Sequence, residues 1–251
     1  MKPAGGFDMV QRRTLLLVDA GAETLEDLSS RLRSLGHRVV RAKTVDAGLA
    51  ALADVRFEIG AVMVPPDLPA LDLERALLAF RRAEPNAQMP LLAVGPRPDA
   101  DHRSRLRRAG VAWALWRPID DSTLRFQANR ALADSGPVRR PRRAQRVPVN
   151  WPVRIGVGQR NKSGLVYSLS ARGAFLSTER PSMPRSLVHV ALPLPQGDVR
   201  VTGSVVMTNV PGNLTKRNLP LGMGVRFTGH SEATEDALLA YVQERTDSLL
   251  V

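Results

Sequence analysis

The stretch RRPRRAQR at residues 139–146 divides the chain into two parts that follow different secondary-structure patterns. Before it, short apolar runs alternate with segments in which leucines recur every three or four positions, which is typical of strands alternating with helices. After it, apolar and polar residues alternate with a period of two, which is typical of antiparallel strands. Because 251 residues suffice for two domains of ordinary size, the sequence predicts two domains joined by a basic segment.

The basic segment itself carries five arginines in eight positions. A guanidinium group is a planar donor that binds phosphate oxygens two at a time and stacks on flat rings. Residues 134–141 have the composition of a linker, and Pro141 and Pro148 favour extended backbone at the residues that precede them. We therefore expect an extended segment that either binds an anion or forms a solvated basic linker.

Positive charge is concentrated after this junction. Residues 1–134 contain 20 Lys and Arg against 17 Asp and Glu, a net charge of +3, whereas residues 135–251 contain 16 against 7, a net charge of +9. Such an excess indicates an anionic partner, which could be a nucleotide, a nucleic acid or a membrane surface. Aromatic residues make up only 4% of the chain and form no visible stacking platform, which argues against nucleic acid.

Several functional classes are disfavoured by the composition. The chain has no cysteine, and its four histidines lack metal-ligand spacing. It has neither a signal peptide nor an apolar run near the ~20 residues of a membrane span, so we expect a cytoplasmic protein without membrane insertion. No Ser-His-Asp set, paired carboxylates or Walker-type loop is found, so we expect no enzymatic activity and no cofactor.

The first part of the chain predicts a doubly wound α/β domain. Its strands are expected at 14–18, 37–42, 59–64, 91–94 and 111–116, and its helices near 23–35, 45–52, 71–83, 101–109 and 120–133. Five strands alternating with five helices require a parallel sheet covered on both faces. Ligand sites in such sheets lie at the carboxyl ends of the strands, so functional residues are expected there.

The order and lengths of these elements, with Leu68-Pro69 after the third strand and Arg117-Pro118 after the fifth, resemble the receiver domain of response regulators over residues 12–134. The resemblance implies a site made of two acidic residues, a phosphoacceptor Asp, a Thr or Ser, and a Lys. In this sequence those positions fall on Asp19-Ala20, Pro65, Gly95 and Arg117, and the aromatic switch position falls on Ala114.

Proline has no nucleophilic side chain, and one carboxylate holds Mg²⁺ poorly. Asp67 follows two prolines in a loop, so it is a weak substitute acceptor. We therefore interpret residues 12–134 as a pseudo-receiver that keeps the scaffold and has lost phosphorylation. Such a domain is expected to dock a protein partner, and a homodimer through the last helix is a further expectation.

The second part predicts a small antiparallel β-barrel followed by a helix. The period-two strands are expected at 149–157, 165–169, 174–177, 187–192, 199–205 and 221–227. The helix is expected from about 231 to 249, with Ser231 as its cap. Between two strands lies a polar turn in which Ser170 can bond a ligand and Gly173 lets the backbone approach it.

Three elements of this half occur together in one family: Arg142-x-x-x-Arg146, Ser168-x-Ser170-x-x-Gly173 and Gly222-Met-Gly-Val-Arg-Phe227. They resemble the PilZ domain over about residues 139–251. The resemblance implies a six-stranded barrel that binds the bacterial second messenger cyclic di-GMP. It also implies that Arg142 and Arg146 bind the phosphates and guanine, with Arg143 as an additional basic residue. The expected domains are the pseudo-receiver at 12–134, a linker at 135–147 and the barrel with its helix at 148–251.

One position departs from this family pattern. The family has Asp or Asn where this chain has Ser168, whereas Ser170 and Gly173 match. Loss of a charge-assisted hydrogen bond would remove about 1.5–3 kcal/mol of binding free energy, roughly ten- to a hundred-fold in affinity. Two hypotheses follow: a cyclic di-GMP effector that reorients the pseudo-receiver to signal to a protein partner, or a ligand-independent adaptor built from two degenerate domains.

Overall fold

The computed structural model describes residues 13–19, 24–66, 70–83, 89–134, 145–212, 214 and 218–251. The chain divides into two compact units. The first unit comprises Met1–Arg140 together with Leu249–Val251, and the barrel unit comprises Pro141–Ser248.

The first unit contains a five-stranded parallel sheet in the order β2-β1-β3-β4-β5. Its strands are β1 (Thr14–Val18), β2 (Arg38–Ala42), β3 (Ile59–Val64), β4 (Leu91–Gly95) and β5 (Trp113–Trp116). Its helices are α1 (Thr24–Ser34), α2 (Val45–Ala53), α3 (Ala70–Ala83), α4 (Ala100–Arg108) and α5 (Asp121–Asp134). The predicted α/β fold with five alternating strands and helices is therefore confirmed.

Burial on both faces of this sheet explains the apolar runs. β1 and β4 are buried along their whole length, and separate apolar clusters cover the two faces of the sheet. The helix boundaries follow from local chemistry. Thr44 caps α2 by accepting a hydrogen bond from the Ala47 amide, and Gly36 follows α1 with φ of 88°, a conformation that favours glycine.

The barrel unit is a closed antiparallel barrel with the strand order β10-β11-β8-β7-β6-β9. Its strands are β6 (Val147–Val157), β7 (Arg160–Ser170), β8 (Gly173–Ser177), β9 (Leu187–Leu194), β10 (Gly197–Asn209) and β11 (Gly222–Gly229). β9 shows the expected alternation, because every second residue from Val188 to Leu194 is buried. The predicted six-stranded barrel is confirmed.

Helix α6 (Glu232–Ser248) packs on this barrel. Leu238 and Val242 are buried in the barrel core, and the rings of Trp151 and Tyr241 lie 4.9 Å apart between centroids. Ser231 accepts a hydrogen bond from the Thr234 amide at 3.3 Å, which agrees with the predicted cap. None of the described helices is both long and apolar enough to cross a membrane.

Residues Leu249–Val251 depart from the prediction, which placed all of 148–251 in the barrel domain. They belong to the first unit, where the Ala114 amide donates to the Leu249 carbonyl at 2.9 Å and Trp113 forms an antiparallel bridge with Leu250. The physical reason is that β5 is the last strand of its sheet, and its outer backbone groups need partners.

Candidate functional site

The start of β6 lies beside the end of β7. Val147 pairs with Leu169 and Pro148 with Ser168 in an antiparallel register. Continuing that register by one residue places Arg146 beside Ser170, at the end of β7. Arg146, which directly precedes β6 and is half-buried, therefore lies next to the turn that carries the predicted serine and glycine residues. Arg142 and Arg143 lie outside the described residues.

Both predicted serines are buried at this end of β7. Ser168 is 4% exposed and pairs with Phe175 of β8, whereas Ser170 is 1% exposed. The Ser170 hydroxyl donates to the Gly173 carbonyl at 2.9 Å and so closes the turn between β7 and β8. The proton of Ser170 is thus used within the protein, and only the oxygen lone pairs are available to a ligand.

Gly173 is required by the packing of two strands. It pairs with Arg226 of β11, and a Cβ atom at this position would lie 2.3 Å from the Val225 carbonyl oxygen. No larger residue fits without moving the strands apart. Gly173 therefore brings β8 close to β11 and fixes the turn beside Arg146.

Two further arginines lie at this turn, and neither was among the ligand-binding residues predicted from the sequence motifs. Arg172 lies within the turn, its side chain is 75% exposed, and its Nε lies 3.9 Å from Glu235 Oε1 of α6. Arg226 is exposed and opposite Gly173 in the register. Their signal was present in the sequence, since Arg172 falls inside the Ser-x-Ser-x-x-Gly element and Arg226 inside GMGVRF. Together with Arg146, these residues put three arginines next to a hydroxyl-bearing turn in the strand register, and guanidinium groups are suited to binding phosphate oxygens.

The segment entering β6 is also hydrogen-bonded to α6. The Gln145 side-chain amide donates to Thr246 Oγ1 at 2.7 Å, and Thr246 in turn donates to the Val242 carbonyl. Arg245 Nε donates to the Pro148 carbonyl at 3.2 Å. Residues on both sides of Arg146, Gln145 through its side chain and Pro148 through its carbonyl, are thereby bonded to the last turns of α6.

The first unit places Asp19 at the carboxyl end of β1, as predicted for its acidic position. Asp19 is 2% exposed, and Arg41 of β2 binds its Oδ2 through Nε at 2.6 Å and also through Nη2. The guanidinium thus supplies the counter-charge that a buried carboxylate needs. Asp67 and Ala20 lie outside the described residues.

The other positions of this site offer little to a metal or a phosphoryl group. Pro65 and Pro66 are buried after β3, and a Cβ at Gly95 would lie 2.7 Å from Pro66 Cδ. Ala114 is buried in β5, and the Arg117 amide donates to the Gly95 carbonyl at 3.0 Å. Mg²⁺ requires several oxygen ligands in octahedral geometry, and a carboxylate already bound by Arg41 beside two prolines does not fit that requirement.

Comparison with known families identifies the second half of the chain. The sequence profile of the PilZ domain family matches residues 140–244. That range includes Arg142, Arg143 and Arg146 as well as the turn from Ser168 to Gly173. No curated protein matches the chain.

Solved structures similar to this chain include receiver and PilZ domains. The chemotaxis protein CheY4 of Vibrio cholerae has 18% identity and a TM-score of 0.42, over 47% of this chain and 98% of its own. The PilZ domain of CeSA from a cellulose-synthesizing bacterium has 16% identity and a TM-score of 0.31, over 39% and 95%. The inhibitor of motility MotI/DgrA of Bacillus subtilis has 18% identity and a TM-score of 0.37, and the match covers 44% of this chain and 53% of that protein.

Proposed function

We propose that this chain is a cyclic di-GMP-binding adaptor, in which a PilZ domain at residues 140–244 controls a receiver-like docking domain. The observation that carries the proposal is the position of Arg146 beside the turn of Ser170 and Gly173. Cyclic di-GMP is a dianion with two flat bases, and guanidinium groups bind phosphates and stack on rings. The net charge of +9 after residue 134 supports an anionic ligand.

In the proposed mechanism, ligand phosphates neutralise Arg142, Arg143 and Arg146. The Ser168 and Ser170 oxygens accept hydrogen bonds from a guanine edge. Neutralising this arginine segment removes the mutual repulsion of its charges, which is a local electrostatic change with a global effect. The change reorients the receiver-like domain, which signals to a protein partner. The protein performs this role without catalysis and without a further cofactor.

Calorimetric titration with cyclic di-GMP tests this function directly. Wild-type protein is expected to bind, and Arg146→Ala is expected to weaken affinity about ten- to a hundred-fold, because a charge-assisted hydrogen bond is lost. Arg200→Ala is the matched control, since Arg200 is exposed on β10, which pairs with β9 and β11 and not with β6, β7 or β8. Absence of heat at tens of micromolar ligand contradicts the proposal.

The receiver-like domain is proposed to work without phosphorylation. The support is the Asp19–Arg41 ion pair together with the prolines at the phosphoacceptor position. Incubation with Mg²⁺ and acetyl phosphate is expected to leave the intact mass unchanged. A phosphorylated species, whether at Asp19 or at Asp67, would overturn this part of the proposal.

A ligand-independent adaptor is the second candidate, and Ser168 favours it. This residue stands where the family has Asp or Asn, and the nearby Ser170 hydroxyl already donates its hydrogen bond to the Gly173 carbonyl within the turn. Under this alternative, Arg142→Ala combined with Arg146→Ala leaves cellular function intact. Under the effector hypothesis the same double substitution abolishes it.

A further inference from the structure

Residues Leu249–Val251, which we call the clasp, extend the sheet of the first unit. The Ala114 amide donates to the Leu249 carbonyl at 2.9 Å, and Leu250 bridges Trp113 in antiparallel orientation. Val251 is 5% exposed and belongs to the apolar cluster that includes Ala114. The clasp therefore contributes both a backbone partner and a buried side chain to β5.

The clasp begins directly after α6, whose last turn is hydrogen-bonded to the segment around Arg146. Gln145 donates to Thr246 at 2.7 Å, and Arg245 donates to the Pro148 carbonyl at 3.2 Å. Thr246 is 4% exposed and Gln145 is exposed, so this bond ties a buried hydroxyl of α6 to the surface segment before β6. Only Asp247 and Ser248 separate this bond from the clasp.

We propose that the clasp transmits the state of the segment around Arg146 to β5. A change at Gln145 alters the last turn of α6, and that turn sets the position and order of the clasp. β5 loses or gains its outer partner accordingly. The ligand-dependent part of this inference rests on the proposed function, whereas the coupling of Gln145 to β5 does not require a ligand.

Hydrogen exchange of ligand-free protein tests the coupling. Val251→Asp places a charge in the apolar cluster and is expected to speed exchange of peptides covering 113–116 by ~10-fold or more. Val251→Ala, a milder change for which misfolding is less of a concern, should show a smaller increase at the same peptides. Leu239→Asp is the control, because Leu239 is 50% exposed on α6. If hydrogen exchange at β5 is unchanged in both Val251 variants, the proposed role of the clasp as a partner of β5 is wrong.

Gln145→Ala tests the link to the segment before β6. Gln145 is exposed, so the variant is expected to fold and yet to speed exchange at 113–116 by about two- to five-fold through loss of one hydrogen bond. Exchange of peptides covering 160–170 should remain as in wild type. A variant with wild-type exchange at β5 rules out transmission through this bond.

Addition of cyclic di-GMP separates this inference from the proposed function. In wild type the ligand is expected to change exchange at 113–116, and Val251→Ala should lose that response while it still binds the ligand in calorimetry. If wild type binds the ligand and β5 does not respond, the transmission is wrong. If wild type does not bind, the proposed function fails, and the Gln145 and Val251 variants still decide whether the coupling exists.

Discussion

At the residue scale, the proposed contact with a guanine edge depends on the side chain at position 168. Ser168 is buried between Pro148 and Phe175 in the strand registers, and its hydroxyl is shorter than an amide or a carboxylate. Ser168→Asn is expected to tighten cyclic di-GMP binding roughly ten-fold or more, since it adds a longer acceptor at the position where the family has Asp or Asn. Calorimetry measures the gain, and Ser204→Asn on β10 is the control. Equal affinity in the two variants would contradict a guanine contact at 168.

A second residue-scale prediction concerns His37, which is 5% exposed and has both ring nitrogens without a partner among the described residues. Burial, with the charge of Arg125, lowers the pKa of His37 from 6.5 to about 4. Between these pH values the unfolded state binds more protons than the folded state, so the free energy of unfolding rises with pH. The contribution of His37 is present above pH 6.5 and is lost as the pH falls from 6.5 towards 4.

The expected size of this effect is about 2 kcal/mol between pH 7.5 and pH 5. His37→Leu should lose that part of the acid sensitivity, whereas His189→Leu, at an exposed position of β9, should keep it. Urea unfolding at the two pH values, followed by tryptophan fluorescence in a Trp151→Phe background so that only Trp113 and Trp116 report, measures the difference. Parallel pH dependences of wild type and His37→Leu would show that His37 is not the titrating group.

The site could be predicted from sequence as far as residue types determine it. Arg146, Ser168, Ser170 and Gly173 meet at one end of the barrel because the strand register, set by the period-two pattern, brings them there. The donation from Ser170 to the Gly173 carbonyl was not predictable, since it depends on the turn geometry. The exposure of Arg172 likewise depends on which face of the turn points outward.

At the scale of elements, the ion pair between Asp19 and Arg41 ties the end of β1 to β2. Arg41→Met leaves the Asp19 carboxylate buried without a counter-charge, and is expected to lower the free energy of unfolding of the first unit by about 3 kcal/mol. Asp19→Asn combined with Arg41→Met should recover most of the loss. Arg56→Met is the control, because its pair with Asp54 is exposed and should matter little. Urea denaturation decides, and equal effects of the two single variants would contradict the interpretation.

Element boundaries show where local sequence is insufficient. β7 was predicted from 165 to 169 and runs from Arg160 to Ser170, because the polar residues that open it are held by pairing with β6 rather than by an apolar pattern. Of the clasp, only Leu249 fell within the predicted helix, and Trp113, the partner of Leu250, lies far away in sequence. Pairing between residues so far apart in the sequence produces no periodic pattern of apolar residues from which it could be predicted.

At the scale of the whole molecule, the uneven charge predicts how ligand affinity responds to salt. If the arginine-rich half binds the two phosphates, raising NaCl from about 0.05 M to about 0.5 M should weaken cyclic di-GMP binding on the order of ten-fold, because salt screens the attraction between arginines and phosphates. Arg146→Ala should show a shallower dependence. Calorimetry at several salt concentrations measures the slope, and a slope near zero would contradict an electrostatic contribution of the basic segment.

The closure of the barrel limits how other proteins can recognise that half of the chain. Every strand from β6 to β11 has two neighbours in the closed ring, and the shortest seam is that of β6 with β9, where Ile155 pairs with Val190 and Gly156 with His189. The closed ring therefore leaves a foreign peptide little edge to extend, and we expect recognition to rely mainly on side chains and loops. The same closure protects the barrel from strand-to-strand aggregation, so this half should stay monodisperse at concentrations where open sheets begin to associate.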